Sequence, residues 1–224
     1  MPLLEIAVTT LEDARHALEG GADSIEVSEM LEQGGLTPNF DLVKSILREV
    51  RLDVHVMVRP HSKSFQYDRP DIETILRDAK RFSELSVKSI VFGAQDVQQR
   101  LDFSLIERVM SAASPVPLTI HRALDLSAEP EASLDALAAL GIRRVLTAGP
   151  AEDAWRGREG LARWVKRYES KISFVVSGGL NLNQFSELAA QVRAPEYHFG
   201  SAARTAGIVE VSKVRELRTA LGNL

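Results

Sequence analysis

The feature of this sequence that most constrains its fold is an alternation of short β-branched runs with helical segments. Eight runs have the composition of strands, at 3–7, 24–27, 53–58, 89–92, 118–121, 144–147, 173–177 and 196–199. Apolar residues at helical spacing follow each run, at roughly 11–19, 39–50, 72–82, 102–113, 130–140, 161–168, 183–191 and 211–221. Strict alternation requires a parallel sheet with right-handed crossovers. We therefore predict a compact (β/α)8 TIM-type barrel, with an open doubly wound sheet as the competing fold.

The predicted barrel accounts for the whole chain. No linker rich in proline, glycine or serine interrupts the repeats, so we predict a single domain over residues 1–224. In such a barrel the functional site lies at the C-terminal ends of the strands, where the loops that lead into the helices meet.

Composition excludes several classes of function. The formal net charge is −4, whereas a nucleic-acid partner or an anionic membrane surface would require a basic face. The chain has no cysteine, which rules out disulfides, thiolate metal sites and a cysteine nucleophile. The first residues lack the basic segment of an export signal, and no run of about 18 apolar residues is present. We expect a soluble cytoplasmic protein.

The stretch V-H-V-M-V-R-P at 54–60 indicates that the barrel interior is chemically active. Its valines alternate with His55, Met57 and Arg59, so one strand face is apolar and the other carries donor groups. The same alternation assigns Glu5, Glu26, Thr119, His121, Thr147, Ser177 and His198 to the interior. Three of the five histidines lie in the predicted strands. Each alone is better explained as a hydrogen-bonded core histidine, but three together with Glu5, Glu26 and Arg59 indicate a site, because buried ionisable groups are costly unless they are paired or used.

These interior groups predict an enzyme that acts on a small anionic metabolite by removing a proton next to a carbonyl. Glu26 or His121 would be the general base, and Arg59 and Arg122 would bind a carboxylate or phosphate. His55 would polarise the carbonyl. The candidate catalytic residues are Glu26, His55, Arg59, His121, Arg122 and Asp125.

Glycine-containing loops after the last two strands are typical of phosphate sites in such barrels. S-G-G follows strand seven and H-F-G-S-A follows strand eight. The candidate anion-binding residues are Ser177, Gly178, Gly179, Gly200 and Ser201, and ordinary tight turns are the alternative.

Two segments could cover the mouth. The loop 59–70 is either a lid or an ordinary solvated loop. The segment 28–38 would lie beside it, with Thr37 capping the next helix and Pro38 opening it.

Several mechanisms find no sequence support. None of the seven lysines falls at a strand C-terminus, which disfavours Schiff-base chemistry. No G-x-G-x-x-G, H-E-x-x-H or H-x-H motif is present. A metal site built from Glu26 and histidines on separate strands stays possible, because spacing along the chain does not reveal it.

The chain resembles the CutC family in blocks that occur in the family's order. These are E-G-G-A-D-S-I-E (19–26), Q-G-G-L-T-P (33–38), H-V-M-V-R-P (55–60), V-F-G (91–93), H-R-A-L-D (121–125), R-V-L-T-A-G (144–149), S-G-G (177–179) and Y-H-F-G-S-A (197–202). The resemblance implies a cytoplasmic TIM-type barrel with a role in copper homeostasis or copper binding. On that reading the copper ligands would be His55, Met57, His121 and His198.

The chain departs from the family at two positions that bear on copper. Members usually carry cysteine where this sequence has Ala7 and Ser28. Because Cu(I) prefers sulfur ligands, we expect this chain not to bind Cu(I) tightly. Two hypotheses remain: copper homeostasis, with copper or another divalent metal as the cofactor, and the small-molecule enzyme. Apolar residues on the outer helices suggest a homo-oligomer, and we expect a homodimer.

Overall fold

The computed structural model describes residues 1–222, and its centre is a closed barrel of eight parallel strands. The strands are β1 Leu3–Val8, β2 Ser24–Val27, β3 Asp53–Met57, β4 Ser89–Phe92, β5 Leu118–Ile120, β6 Arg144–Thr147, β7 Ser173–Val176 and β8 Glu196–Phe199. Each strand pairs with the next in chain order, and β8 pairs with β1. The predicted (β/α)8 barrel is therefore confirmed, and the open sheet is wrong.

Eight α-helices alternate with these strands within residues 1–222. They are α1 Leu11–Gly20, α2 Phe40–Glu49, α3 Arg69–Ser83, α4 Phe103–Ala113, α5 Pro130–Ala139, α6 Ala154–Tyr168, α7 Leu182–Val192 and α8 Val211–Gly222. Short 3₁₀ helices occupy Leu31–Gln33 and Ser201–Ala203, and a small hairpin pairs β9 Arg204–Thr205 with β10 Ile208–Val209. None of the described helices has the length and apolar character needed to cross a membrane.

The start of α2 differs from the prediction. Asn39, not Thr37, caps the helix, because its side-chain oxygen accepts a hydrogen bond from the Asp41 N–H at 2.8 Å. Pro38 lies before the cap. The Thr37 hydroxyl instead accepts a hydrogen bond from the Arg59 N–H at 2.8 Å. This contact ties the loop after β2 to the end of β3.

The two faces of β3 pack against different surroundings. Val54 and Val56 belong to the apolar core between the barrel and its helices. His55 and Met57 point into the barrel, where they line cavities at opposite ends. The alternation along V-H-V-M-V thus separates a helix-packing face from an interior face.

The predicted orientation of β6 is wrong. Thr147 does not face the interior; its hydroxyl donates a hydrogen bond to the carboxylate of Asp125. Arg144 and Leu146 point inward instead, Arg144 onto Glu5 and Leu146 into the mouth. The error is one residue of register, which exchanges the two faces of a strand.

A buried ionic network fills the lower interior of the barrel. The Arg144 guanidinium lies 2.7 Å from a Glu5 oxygen and 2.6 Å from a Glu196 oxygen. Glu5 also accepts a hydrogen bond from His198 at 2.8 Å, and its side chain is fully buried. Burial alone would raise the pKa of Glu5, but Arg144 and the two neighbouring histidines outweigh it, and the pKa lies far below its ordinary value. Glu5 is therefore a carboxylate held by surrounding donors.

We expect Arg144→Met to destabilise the fold by about 3–5 kcal/mol, because it leaves two buried carboxylates without their cation. Urea unfolding followed by circular dichroism measures the loss. The matched control is Arg167→Met, which removes an exposed pair with Asp135 and should cost no more than about 1 kcal/mol. Equal losses in the two variants would contradict the central role of Arg144.

Candidate functional site

The C-terminal end of the barrel opens into a cavity of about 640 Å³, which we call the mouth. Several interior side chains line it together with parts of the covering loops. The lining includes Glu26, Met57, Arg59, Phe65, His121, Arg122, Ser177, Gly178, Gly179, His198, Gly200, Ser201 and Arg204. Five buried polar atoms of this lining have no hydrogen-bond partner within residues 1–222: Glu26 Oε2, Arg59 Nε, His121 Nε2, Ser177 Oγ and Arg204 Nε. Unpartnered buried polar atoms that converge on one cavity are typical of a ligand site.

Arg59 brings a buried positive charge to the mouth. Its side chain donates hydrogen bonds to the carbonyls of Gln33, Gly34 and Ser62, at 3.2 to 3.4 Å. Its guanidinium also lies 4.6 Å from the centre of the Phe65 ring. Within residues 1–222 its hydrogen-bond acceptors are backbone carbonyls and not carboxylates. Burial lowers the pKa of Arg59 from its ordinary value, as expected for a charge that no anion compensates.

His121 is held as a neutral hydrogen-bond donor. Its Nδ1 accepts a hydrogen bond from the Ala123 N–H at 3.2 Å, so the proton of the neutral ring belongs on Nε2, the atom without a partner. Burial, helped by Arg59, lowers the pKa of His121 to about 3. The ring fits because Gly93 has no side chain: a Cβ there would lie 2.6 Å from Nδ1. At neutral pH His121 can therefore donate to a ligand oxygen but is a poor proton acceptor.

Glu26 is the buried carboxyl group of the mouth. Only 4% of the residue is exposed, and its Oε2 has no partner among the described residues. Burial raises the pKa of Glu26, and the nearby Glu5 carboxylate adds to the effect. Burial alone would lower the pKa of His198, yet Glu26 and Glu5 outweigh it and raise that pKa. A carboxyl group with a raised pKa beside an imidazole is suited to both giving and accepting a proton.

His55 does not reach the mouth. It lines a second cavity of about 650 Å³ at the N-terminal end of the barrel, where its Nδ1 lies 2.7 Å from the Ser89 hydroxyl. Its Nε2 lies 3.6 Å from Glu5, and burial lowers its pKa to about 4. The expectation that His55 shares one pocket with Glu26, Arg59 and His121 is therefore wrong. It is inward-facing as predicted, but it belongs to the lower layer of the interior.

Arg122 and Asp125 form a pair at the rim. Arg122 Nε donates to Asp125 at 2.7 Å, and a Cβ on Gly178 would lie 3.1 Å from the Arg122 guanidinium carbon. Arg122 lines the mouth, whereas Asp125 is not among the lining residues. Asp125 also accepts hydrogen bonds from Thr147 and from the Ala148 N–H. This position suits a residue that orients Arg122 better than one that touches a ligand.

The predicted anion-binding loops both border the mouth. Gly178 and Gly179 have φ of +90° and +72°, a backbone region that favours glycine. Within residues 1–222 their N–H groups donate no hydrogen bond, while the Ser177 N–H is used in the sheet, donating to Thr147. Gly200 and Ser201 line the same cavity, at the start of a 3₁₀ helix. The loops are placed as the prediction requires; anion binding by them stays a prediction.

The loop that follows β3 folds over the mouth. The Phe65 ring packs against His121 in a tilted arrangement with ring centres 4.8 Å apart, and the Phe65 carbonyl accepts a hydrogen bond from the Gln95 N–H at 2.8 Å. The segment 28–38 covers the adjacent side, through an isolated bridge between Glu29 and Leu36. Both segments are thus covers of the mouth, and whether the first one opens as a lid stays a prediction.

Metal-ligating side chains come together differently from the predicted copper set. Within residues 1–222, two groups have ligand atoms within 4.8 Å of one another: Glu5, Glu26 and His198, and Glu5, His55 and Glu196. His121 belongs to neither group, and His55 and His198 fall in different ones. The predicted set of His55, Met57, His121 and His198 therefore does not form one site. Both groups are rich in carboxylates, which do not suit Cu(I).

Sequence reasoning missed Arg144 and Glu196 as interior residues. Glu196 has the same strand parity as His198, so the alternation that identified His198 also indicated Glu196. Arg144 was missed because β6 was placed one residue out of register. Both are charged residues at the first position of their strands, so their side chains enter the barrel interior near its N-terminal end.

Comparison with known proteins identifies the relationship. A profile described as the CutC family matches residues 2–203. The chain belongs to the CutC family. This confirms the resemblance carried by the sequence blocks, from H-V-M-V-R-P to Y-H-F-G-S-A.

Solved structures place this CutC-family chain among known barrels. It is similar to the putative copper homeostasis protein CutC from Streptococcus agalactiae, with a TM-score of 0.83, 25% identity, and coverage of 90% of this chain and 99% of that one. A phosphoribosyl anthranilate isomerase from Thermococcus kodakaraensis matches with a TM-score of 0.66 and 13% identity, over 100% of both chains. A thiamine phosphate pyrophosphorylase from Pyrococcus furiosus matches at 0.61 and 18%, over 99% of this chain and 96% of that one. At such low identity the last two show the shared fold alone.

We expect the buried neutral His121 to make stability depend on pH. Its pKa is lowered from 6.5 to about 3, so the unfolded chain binds the extra proton first as pH falls. The contribution of neutral His121 to the free energy of unfolding is complete above pH 6.5. It declines towards pH 3 by about 1.4 kcal/mol per pH unit. His121→Gln should therefore flatten the plot of unfolding free energy against pH in this window. Above pH 6.5 the two slopes should match, which is the internal control; identical slopes below it would contradict a neutral His121.

Proposed function

We propose that this CutC-family protein binds a small metabolite carrying a phosphate or carboxylate group in the mouth, and transfers a proton next to a carbonyl of that metabolite. The observation that carries the proposal is Arg59, a buried guanidinium that lines the mouth, donates to backbone carbonyls and has no carboxylate partner within residues 1–222. A buried charge is costly unless something compensates it, and an anionic ligand would do so.

The groups around Arg59 support an anion with a defined orientation. Arg122 lies at the rim, and the N–H groups of Gly178 and Gly179 have no acceptor among the described residues. Arg59 follows β3 and the two glycines follow β7, on the opposite side of the barrel, so Arg59 would bind one anionic group while Arg122 and the glycine N–H groups would bind a second polar group of the same ligand. The rest of the ligand would then extend towards Glu26 and His121.

Glu26 and His121 suit the two halves of a proton-transfer reaction. Glu26 as carboxylate would remove the proton next to the carbonyl, and its raised pKa makes it a stronger base than an exposed glutamate. The Nε2–H of neutral His121 would donate a hydrogen bond to the carbonyl oxygen, where negative charge develops. In a metabolite with a hydroxyl on the carbon that loses the proton, the hydroxyl proton would move to the original carbonyl oxygen and Glu26 would return its proton to the original carbonyl carbon, which completes an isomerisation. His121 takes the polarising role that sequence reasoning gave to His55.

Copper homeostasis is the second candidate, and family membership is the observation that favours it. The similar Streptococcus agalactiae protein is itself named as a putative copper homeostasis protein. Because Ala7 and Ser28 supply no thiolate and His121 lies apart from both carboxylate-rich groups, we propose that any such role proceeds without tight Cu(I) binding.

The setting of this function is also a proposal. We propose that the protein acts in the cytoplasm on a small molecule or a metal ion, and that neither nucleic acid nor a membrane is its partner. Leu18 on α1 and Leu182 on α7 are exposed apolar residues on the outer helix layer, which supports a homodimer as the working hypothesis.

Arg59→Met should weaken binding of inorganic phosphate by about ten- to hundredfold, the value of a charge-assisted contact to an anion. Calorimetry in chelator-treated buffer measures the affinity. Arg48→Met removes an exposed arginine of α2 and should leave the affinity unchanged. Equal affinity in the Arg59 variant and the wild type would remove the anion site.

Deuterium exchange tests the proposed proton transfer, with the same purified wild-type protein. Phosphorylated and carboxylated carbonyl compounds are incubated with the protein in D2O, and mass spectrometry detects deuterium incorporated next to the carbonyl. Incorporation that is present in the wild type and lost in Glu26→Gln supports proton transfer. Incorporation that persists in Glu26→Gln would overturn the role of Glu26.

Titration against a Cu(I) chelator checks the copper candidate. We expect the chelator to keep the ion when chelator and protein are equimolar, because the mouth offers no thiolate. The amount of Cu(II) bound should be lower in the His198→Asn variant than in the wild type, since imidazole is the remaining good donor. One Cu(I) per chain that resists the chelator would contradict this expectation, and copper binding would then be the leading function.

A further inference from the structure

The floor of the mouth holds a compact set of oxygen and nitrogen donors. Glu5 on β1, Glu26 on β2 and His198 on β8 offer ligand atoms within 4.8 Å of one another. The three strands are adjacent, and Glu5 and His198 are direct register partners across the β1–β8 pair. The backbone therefore fixes where these side chains start, and no loop movement is needed to assemble them.

The charges below the mouth do not balance among themselves. Three carboxyl groups, Glu5, Glu26 and Glu196, face one guanidinium, that of Arg144, and the imidazole of His198. With all three carboxyl groups ionised and His198 neutral, as a metal ligand must be, two negative charges would remain in a buried space, which is costly without a cation. A single divalent cation supplies the missing charge.

An unpartnered atom marks where such a cation would sit. Glu26 Oε2 is buried and has no hydrogen-bond partner within residues 1–222, and both Glu26 and His198 line the mouth. One Glu5 oxygen is held by Arg144, while the other lies 2.8 Å from His198 Nδ1. That second contact is a hydrogen bond, so a cation bound there would replace the proton that His198 and Glu5 share.

We propose that Glu5, Glu26 and His198 form a binding site for a divalent cation such as Mn²⁺ or Zn²⁺, at the floor of the mouth. Ala7, the register partner of Glu26, offers no donor atom, so the set consists of two carboxylates and one imidazole. Such donors suit divalent ions and not Cu(I). The open side towards the mouth leaves room for water or a ligand to complete the coordination.

The cation site deepens the proposed function and rests on it only through the shared use of Glu26. A cation bound to the Glu26 carboxylate occupies the oxygen lone pairs that would otherwise accept a proton. Glu26 then cannot act as a base. Metal occupancy and proton abstraction by Glu26 then exclude each other, so the divalent ion regulates the mouth chemistry.

Titration of the purified full chain with MnCl2, followed by electron paramagnetic resonance, tests the site. We expect one Mn²⁺ per chain, displaced by Zn²⁺ and not by Cu(I) offered from its chelator complex. Glu26→Gln should weaken Mn²⁺ binding by at least about tenfold. Glu32→Gln, an exposed carboxylate on the rim of the same cavity, is the matched control and should bind as the wild type does.

If Glu26→Gln does not fold, His198→Asn replaces it as the decisive variant. Mn²⁺ binding that is absent in the wild type, or equal in the wild type and the folded variant, would overturn the cation site. Phosphate affinity measured in chelator separates the two proposals: phosphate binding that depends on Arg59, without any Mn²⁺ site, removes this inference and leaves the proposed function standing.

Discussion

The ion pair between Arg144 and Glu5 is the interaction on which the interior of this barrel depends. A closed eight-stranded barrel is normally filled by apolar side chains, but here the lower layer is polar. Arg144 lies between two carboxylates, and Glu5 in turn contacts His198 above and His55 below. Because each of these groups contacts a group of opposite charge or a hydrogen-bond partner, the barrel buries the charges with most of them paired.

This network also explains why the two ends of the barrel differ. At the N-terminal end, His55 and Ser89 are hydrogen-bonded to each other, and the buried polar groups there are satisfied. At the mouth, Glu26, His121 and Ser177 each keep an atom without a partner among the described residues. The chemistry proposed for the protein therefore belongs to the mouth, and the opposite cavity is closed off from it by the ionic layer.

Much of the architecture could be predicted because it depends on patterns within short segments. Alternating valines identify β3, and apolar residues at helical spacing identify helices such as α3. The height of a side chain in the barrel could not be predicted in this way. His55 and Glu26 are register partners, yet they line opposite cavities, because strand tilt and stagger decide which end a side chain reaches. The face of β6 was missed for a related reason: a four-residue strand offers too few positions to fix its parity.

The absence of a side chain at Gly93 makes room for His121 and restricts which residues can occupy that position. The imidazole of His121 occupies the space that a Cβ on Gly93 would need. The backbone directly after β4 therefore forms one wall of the space that holds the ring. Even alanine would displace the ring, and with it the hydrogen bond that sets which nitrogen carries the proton. Position 93 is thus restricted to glycine for as long as His121 keeps this place, a restriction that the covering loops do not share.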